Sequence, residues 1–226
     1  MDMSPMMLIH IITGSIAVLS GVAALALKKG KKPHRNAGKI FVVSMTLMAL
    51  TGGYIAYIKP MMITLIAGLF TLHLVLSAFL IVKSPPHAIK PLDYMLPFAS
   101  AGLCVASAYF GYNALTSPIG HVDGFSHEPY FFFALLSLVA LIGDIKLVIN
   151  KGISNTQRMT RHIWRMSFAL YIAIGSFFGQ GAQALPDMIT QTFLMHIPES
   201  LILLIMCFWL GKTWLNSRKS RPVFNQ

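Results

Sequence analysis

Long unbroken apolar runs separated by short polar gaps dominate this chain, and each run is about as long as a helix must be to cross a bilayer. The runs lie at approximately 6–27, 38–58, 61–82, 92–113, 129–149, 163–184 and 200–215. The first six each reach the roughly 20 residues that span a hydrocarbon core. The last is shorter, so it starts as early as Phe193 or crosses a locally thinned region. The pattern predicts an all-α, polytopic seven-transmembrane-helix bundle, with residues 1–226 as one integral membrane domain.

Breaker residues place the connections. Lys59-Pro60 leaves almost no room between the second and third runs, which are therefore expected as antiparallel neighbours. Pro85, Pro86 and Pro91 restrict the next turn, and Pro97 either kinks the fourth helix or lies in its first turns. His10, Gly14, Ala17 and Gly21 share one face of the first helix, while Gly175 and Gly179 stand four apart in the sixth. Small residues at that spacing let neighbouring helices approach closely.

Charge then orients the bundle. Every Lys and Arg except Lys59 falls in alternate gaps or in the tail, and the opposite gaps carry Asp123, Glu128, Asp187 and Glu199. The positive-inside rule puts the N-terminus outside and the C-terminus in the cytoplasm. The opening Met1-Asp2-Met3-Ser4-Pro5 lacks a basic leader, so the first run is expected as a spanning helix rather than a cleaved signal.

With 55% hydrophobic and 11% charged residues among 226, a soluble fold would have to bury too many consecutive apolar positions. The net charge of +11 is divided among short loops, which points to anionic lipid headgroups and not to nucleic acid. Cys104 and Cys207 sit in apolar runs and form neither a disulfide framework nor a CxxC site. A monomer and a homodimer are equally open.

His34-Arg35-x-x-Gly38 precedes the second helix, and Arg161-His162-x-Trp164-Arg165-Met166 leads into Gly175-Ser176-Phe177-Phe178-Gly179-Gln180. With His10 at the entrance of the first helix, these boxes resemble a widespread family of uncharacterised bacterial multi-pass membrane proteins. The resemblance implies a helical membrane fold and a bacterial inner-membrane address, without a specific activity.

Polar residues at the basic end support two readings. Asp144 is near the inner end of the fifth helix, where a carboxylate needs a cationic partner; Lys146, Arg165 and Arg35 are candidates, and Asp93 and His34 lie at similar depth in the same structural polar network. Alternatively, Arg35, Arg161, His162 and Arg165 bind a lipid headgroup or another anionic ligand.

The opposite end holds metal-ligand residue types. His10, His121, His127, His196, Glu128 and Glu199 come from three elements, and their convergence would suit zinc or another divalent transition metal, with a glutamate moving protons in a hydrolytic enzyme. Methionines at this end extend the metal reading to copper. His73, about 18 Å into the third helix, is a candidate ligand for haem b, although no second histidine matches its depth. The segment 188–194 is amphipathic and is expected to lie on the outer surface or cover the bundle.

Three functional classes follow. The first is a membrane protein that binds a lipid or small ligand within its bundle; the second is a metalloenzyme or haem redox protein; the third is a small-solute transporter. No P-loop, dinucleotide fingerprint or serine nucleophile elbow is present.

Overall fold

Ser4 and Pro5 start the first helix. The Ser4 side chain accepts a hydrogen bond from the Met7 amide at 3.3 Å, and Pro5 occupies the first helical position, where a missing N–H costs nothing. The computed structural model describes residues 4–181 and 197–219. Within them the chain is helical: α1 Pro5–Ala26, α2 Lys32–Ile58, α3 Met62–Lys83, α4 Leu96–Thr116, α5 His127–Ile149, α6 Asn155–Gly181 and α7 Ile197–Lys219. A 3-10 turn, Pro91–Met95, leads into α4.

Short connections make successive helices run antiparallel. α1 packs along α2, α2 on α3, α4 on α5 and α7 on α6. α3 also meets α4, α5 and α6, so it occupies the centre of the bundle. Gly14 and Ala17 lie on the buried face of α1, and a side chain on Gly21 would meet Leu170 of α6 at 2.8 Å and Phe41 of α2 at 3.0 Å. Among the described residues nothing lies within 4 Å of a side chain built on Gly179, whereas Gly175 of the α6 pair serves a close approach. Lys29 and Lys212 stand 5.0 and 4.9 Å from the Trp209 ring, tying the end of α1 to α7.

The distribution of side chains is reversed relative to a water-soluble protein. Leu19, Phe98 and Leu204 are 71%, 72% and 67% exposed, whereas Asp144, Arg165, Ser100 and Ser137 are fully buried. An apolar exterior around a polar interior is stable in lipid, where polar groups must find their partners inside the protein. Buried hydroxyls meet this demand by bonding back to their own helix: Ser20 to the Ile16 carbonyl at 2.6 Å, Ser77 to that of His73 at 2.6 Å and Ser107 to that of Leu103 at 2.7 Å. The chain is a multi-pass membrane protein.

Six of the described helices are long and apolar enough to cross a membrane: α1, α2, α3, α4 with its leading turn, α5 and α7. α6 is the exception. It was expected at 163–184 but begins at Asn155, and the added turns carry Arg158 and Arg161. Polar residues on one face and apolar residues on the others give α6 less hydropathy than its neighbours while leaving it 27 residues long. α2 likewise begins at Lys32, ahead of the expected 38, with Pro33 in its first turn. Pro97 is the second residue of α4 and produces no kink. The segment 188–194 lies outside the described residues.

At the basic end, two loops lock together. The His87 amide donates to the Ile153 carbonyl at 3.0 Å, and Gly152 turns the chain between α5 and α6 with φ +120°. A side chain there would lie 2.6 Å from the His87 carbonyl carbon and 2.7 Å from the Ala88 nitrogen, and its φ is one that L-residues rarely adopt. Gly152→Ala should therefore cost about 1–3 kcal/mol or more. A lower thermal unfolding midpoint in detergent is the expected result; an unchanged midpoint would show that these loops do not hold the bundle end.

Candidate functional site

One face of α6 carries Arg158, Arg161, His162 and Arg165 at helical spacing, and it lies antiparallel against α3. Arg158 reaches the exposed carbonyls at the end of α3. Its Nε donates to Ile81 at 3.2 Å, and its NH2 donates to Ile81 at 3.1 Å and to Ser84. One turn further, His162 Nδ1 donates to the Ala78 carbonyl at 3.1 Å. Arg165 then donates to Ser77 Oγ and to the Ala140 carbonyl of α5 at 3.1 Å.

The carboxylate of Asp144 is the centre of this arrangement. Oδ1 accepts from Arg161 and from Arg165, the latter at 2.9 Å. Oδ2 accepts from His73 Nε2 and from Ser100 Oγ, each at 3.0 Å. Helices α3, α4, α5 and α6 are thus joined through one buried side chain. Two guanidinium groups face one carboxylate, and among the described residues Arg161 Nε and Arg165 Nε are without a hydrogen-bond partner. Gly143 leaves the space beside Asp144 into which both arginines extend.

The structural polar network read from the sequence therefore exists, with different members. Arg165 is an Asp144 partner as expected, while Lys146 points to the exterior. Asp93 instead closes the 3-10 turn, where its Oδ2 accepts from the Lys90 amide at 2.8 Å. His34 Nδ1 donates to the Ala24 carbonyl at 2.9 Å and ties α2 to the end of α1. Ser77, Ser100 and the capping role of Arg158 were not anticipated; the spacing of His73 and Ser77 at i and i+4 was the available signal.

The four proposed headgroup donors do not meet. Arg161 and Arg165 are buried and committed to Asp144, and His162 is committed to α3. Arg35 is exposed in a separate cleft with Lys32, Asn36 and Lys39 of α2 and Lys83 of α3. Burial separates them: a guanidinium shielded from lipid and water must use its donors inside the protein.

A cavity of about 280 Å³ lies toward the opposite end, between α1, α2, α3, α5, α6 and α7. Phe132 and Phe133 of α5, Tyr171 of α6 and Phe125 of the preceding loop supply its aromatic wall. Two polar side chains reach it beside glycines. A side chain on Gly52 would meet His10 Cε1 at 2.8 Å, and one on Gly175 would meet Glu199 Oε1 at 3.1 Å. His10 Nδ1 lies 3.0 Å from the Met48 carbonyl, which can only accept, so Nδ1 carries the proton and Nε2 is the ring's acceptor. Thr64 and Thr71 of α3 also line it, and among the described residues the buried Oγ1 of each has no hydrogen-bond partner.

The expected metal set is divided. His10 and Glu199 line the cavity, while His127 Nε2 and Glu128 Oε1 lie 3.9 Å apart near the start of α5. His121 is exposed in the loop before them, and His196 lies outside the described residues. Among the described residues, no three His, Cys, Asp or Glu side chains gather at one point. The loop's own fold contributes to the separation, because Asp123 Oδ2 accepts from the Met62 amide at 3.0 Å and ties that loop to α3. His73, the candidate haem ligand, has its Nε2 bonded to Asp144 and its ring packed within the network.

Known proteins bear on the first part of the chain. The family described as Predicted membrane protein (DUF2306) matches residues 7–91. Over those residues the chain is similar to that membrane family. The match takes in α1, α2 and α3, including His10, Thr71 and His73, and stops before Asp144, the α6 arginines and Glu199. No curated protein matches, and no solved structure matches.

Breaking a buried ion pair from the carboxylate side strands two charges, whereas removing Arg161 leaves Asp144 with Arg165, His73 and Ser100. Asp144→Asn should cost about 3–5 kcal/mol and Arg161→Gln distinctly less. Thermal unfolding in detergent, followed by tryptophan fluorescence, checks the order. An Arg161→Gln protein as unstable as Asp144→Asn would contradict the central place given to the carboxylate.

Proposed function

We propose that the protein binds a small, largely apolar molecule with a hydrogen-bonding end in the cavity between its helices, at the outer side of a bacterial inner membrane. The single observation that carries this reading is Thr71, a hydroxyl 1% exposed that lines the cavity and has no hydrogen-bond partner among the described residues. An unsatisfied buried hydroxyl costs about 1–3 kcal/mol, and a ligand that bonds to it removes that cost. The cavity's volume suits a compact molecule, and its aromatic wall with few polar groups is the usual composition of such sites.

In this reading α6 crosses the membrane as a seventh helix. Its length of 27 residues is sufficient, and its arginines are sheltered by α3 and α5 instead of facing lipid. The N-terminus is outside and the C-terminus in the cytoplasm, supported by the concentration of Lys and Arg at one end of the bundle. There Lys32, Arg35, Lys39 and Lys83 contact anionic headgroups of the inner leaflet.

Two measurements test these statements. A cysteine placed at His121 should react with a membrane-impermeant maleimide in intact cells, and one placed at Gly30 only after permeabilisation; the opposite order would reverse the orientation. Mass spectrometry of organic extracts should find a small molecule near one per chain in gently purified protein, depleted severalfold by Thr71→Val, which leaves the unfolding midpoint unchanged or raised. Equal amounts in both proteins, or none in either, would remove the cavity as a ligand site.

A further inference from the structure

The cavity's polar atoms are biased toward acceptors. Glu199 is half-buried at its edge, and among the described residues its carboxylate has no ion pair and no hydrogen bond. Gly175 keeps that carboxylate uncovered on the α6 side. His10, with its proton held at Nδ1 by the Met48 carbonyl, offers Nε2 as a second acceptor. No Lys or Arg lines the cavity among the described residues, and the sequence from 182 to 196 contains neither.

We infer that the cavity selects an organic cation: an aromatic-sized apolar body bearing a protonated amine. This rests on the cavity being a ligand site, and it adds the ligand's charge. The ammonium N–H groups donate to the Glu199 carboxylate and to His10 Nε2, a charge-assisted arrangement that an anion could not form. The rings of Phe125, Phe132, Phe133 and Tyr171 supply electron-rich faces that attract the same charge. Electrostatics at this end point the same way. In a chain of net charge +11, the described residues at the cavity's end include Asp123, Glu128 and Glu199 against Lys59 alone, which draws cations toward this end and repels anions.

The test compares 2-phenylethylammonium with its neutral isostere propylbenzene and with the anion 3-phenylpropanoate, using protein in zwitterionic-lipid nanodiscs and empty nanodiscs as the blank. Saturation-transfer NMR titration should show the ammonium binding at least tenfold more tightly than propylbenzene, with the anion weakest. Glu199→Gln should lower the ammonium's affinity about tenfold and leave that of propylbenzene unchanged. The wild-type comparison stands even where that variant folds poorly. Equal binding of the ammonium and propylbenzene, or preference for the anion, overturns the cation assignment while leaving the cavity as a ligand site. Absence of binding by all three overturns both.

Discussion

The carboxylate of Asp144 is the constraint on which the bundle depends. In lipid, apolar surface gains little by leaving its surroundings, so helices are held by packing and by polar contacts made inside the protein. Here one carboxylate accepts from α3, α4 and two positions of α6 while belonging to α5. Geometry at that point fixes the relative rotation of all four helices, because each donor reaches the same two oxygen atoms. The small residues of α1 and α2 supply the complementary kind of contact, close approach without charge.

From that arrangement the position of the cavity follows. α3 presents its polar side chains in two groups: His73 and Ser77 toward the arginines, Thr64 and Thr71 toward the cavity. Thr71 and His73 are two residues apart, about 3 Å along the helix axis, so the cavity floor and the ion-pair network are adjacent in depth. The network occupies both oxygens of its carboxylate and holds the helices in place. The cavity is the reverse: among the described residues the hydroxyls of Thr64 and Thr71 and the carboxylate of Glu199 are without a hydrogen-bond partner, on a framework already fixed elsewhere.

The helical membrane fold was legible because unbroken apolar length is a direct physical requirement of the bilayer. The need of Asp144 for a cation was legible for the same reason, and Arg165 was among the named candidates. Its other partners were not, since a histidine in mid-helix is as compatible with haem as with a carboxylate until α3 and α5 are placed side by side. That Arg161 and His162 turn toward Asp144 and α3 was not legible, because sequence gives their charge but not which face of α6 turns inward. The dispersal of the proposed metal ligands among the described residues was hidden in a related way: His10, His127 and Glu199 share an end of the bundle, yet sharing a depth leaves their angular positions around it unspecified. The cavity went unnoticed since two of its determinants, Gly52 and Gly175, act by what they lack, and a threonine in an apolar helix ordinarily bonds to its own backbone.

The placement of the arginines on α6 also bears on the order in which the chain is assembled. His73, Ser77, Ile81, Ser84, Ala140 and Asp144 all precede Arg158 in the sequence. When α6 leaves the ribosome, every acceptor that its arginines require has already been synthesised, and α3 and α5 can be present to receive it. The least apolar of these helices is thus made after α3 and α5, with which its arginines pair, and only α7 follows it. Its placement is then a docking event, and the completed pairing with Asp144 distinguishes a chain in which α6 has found α3 and α5 from one in which it has not.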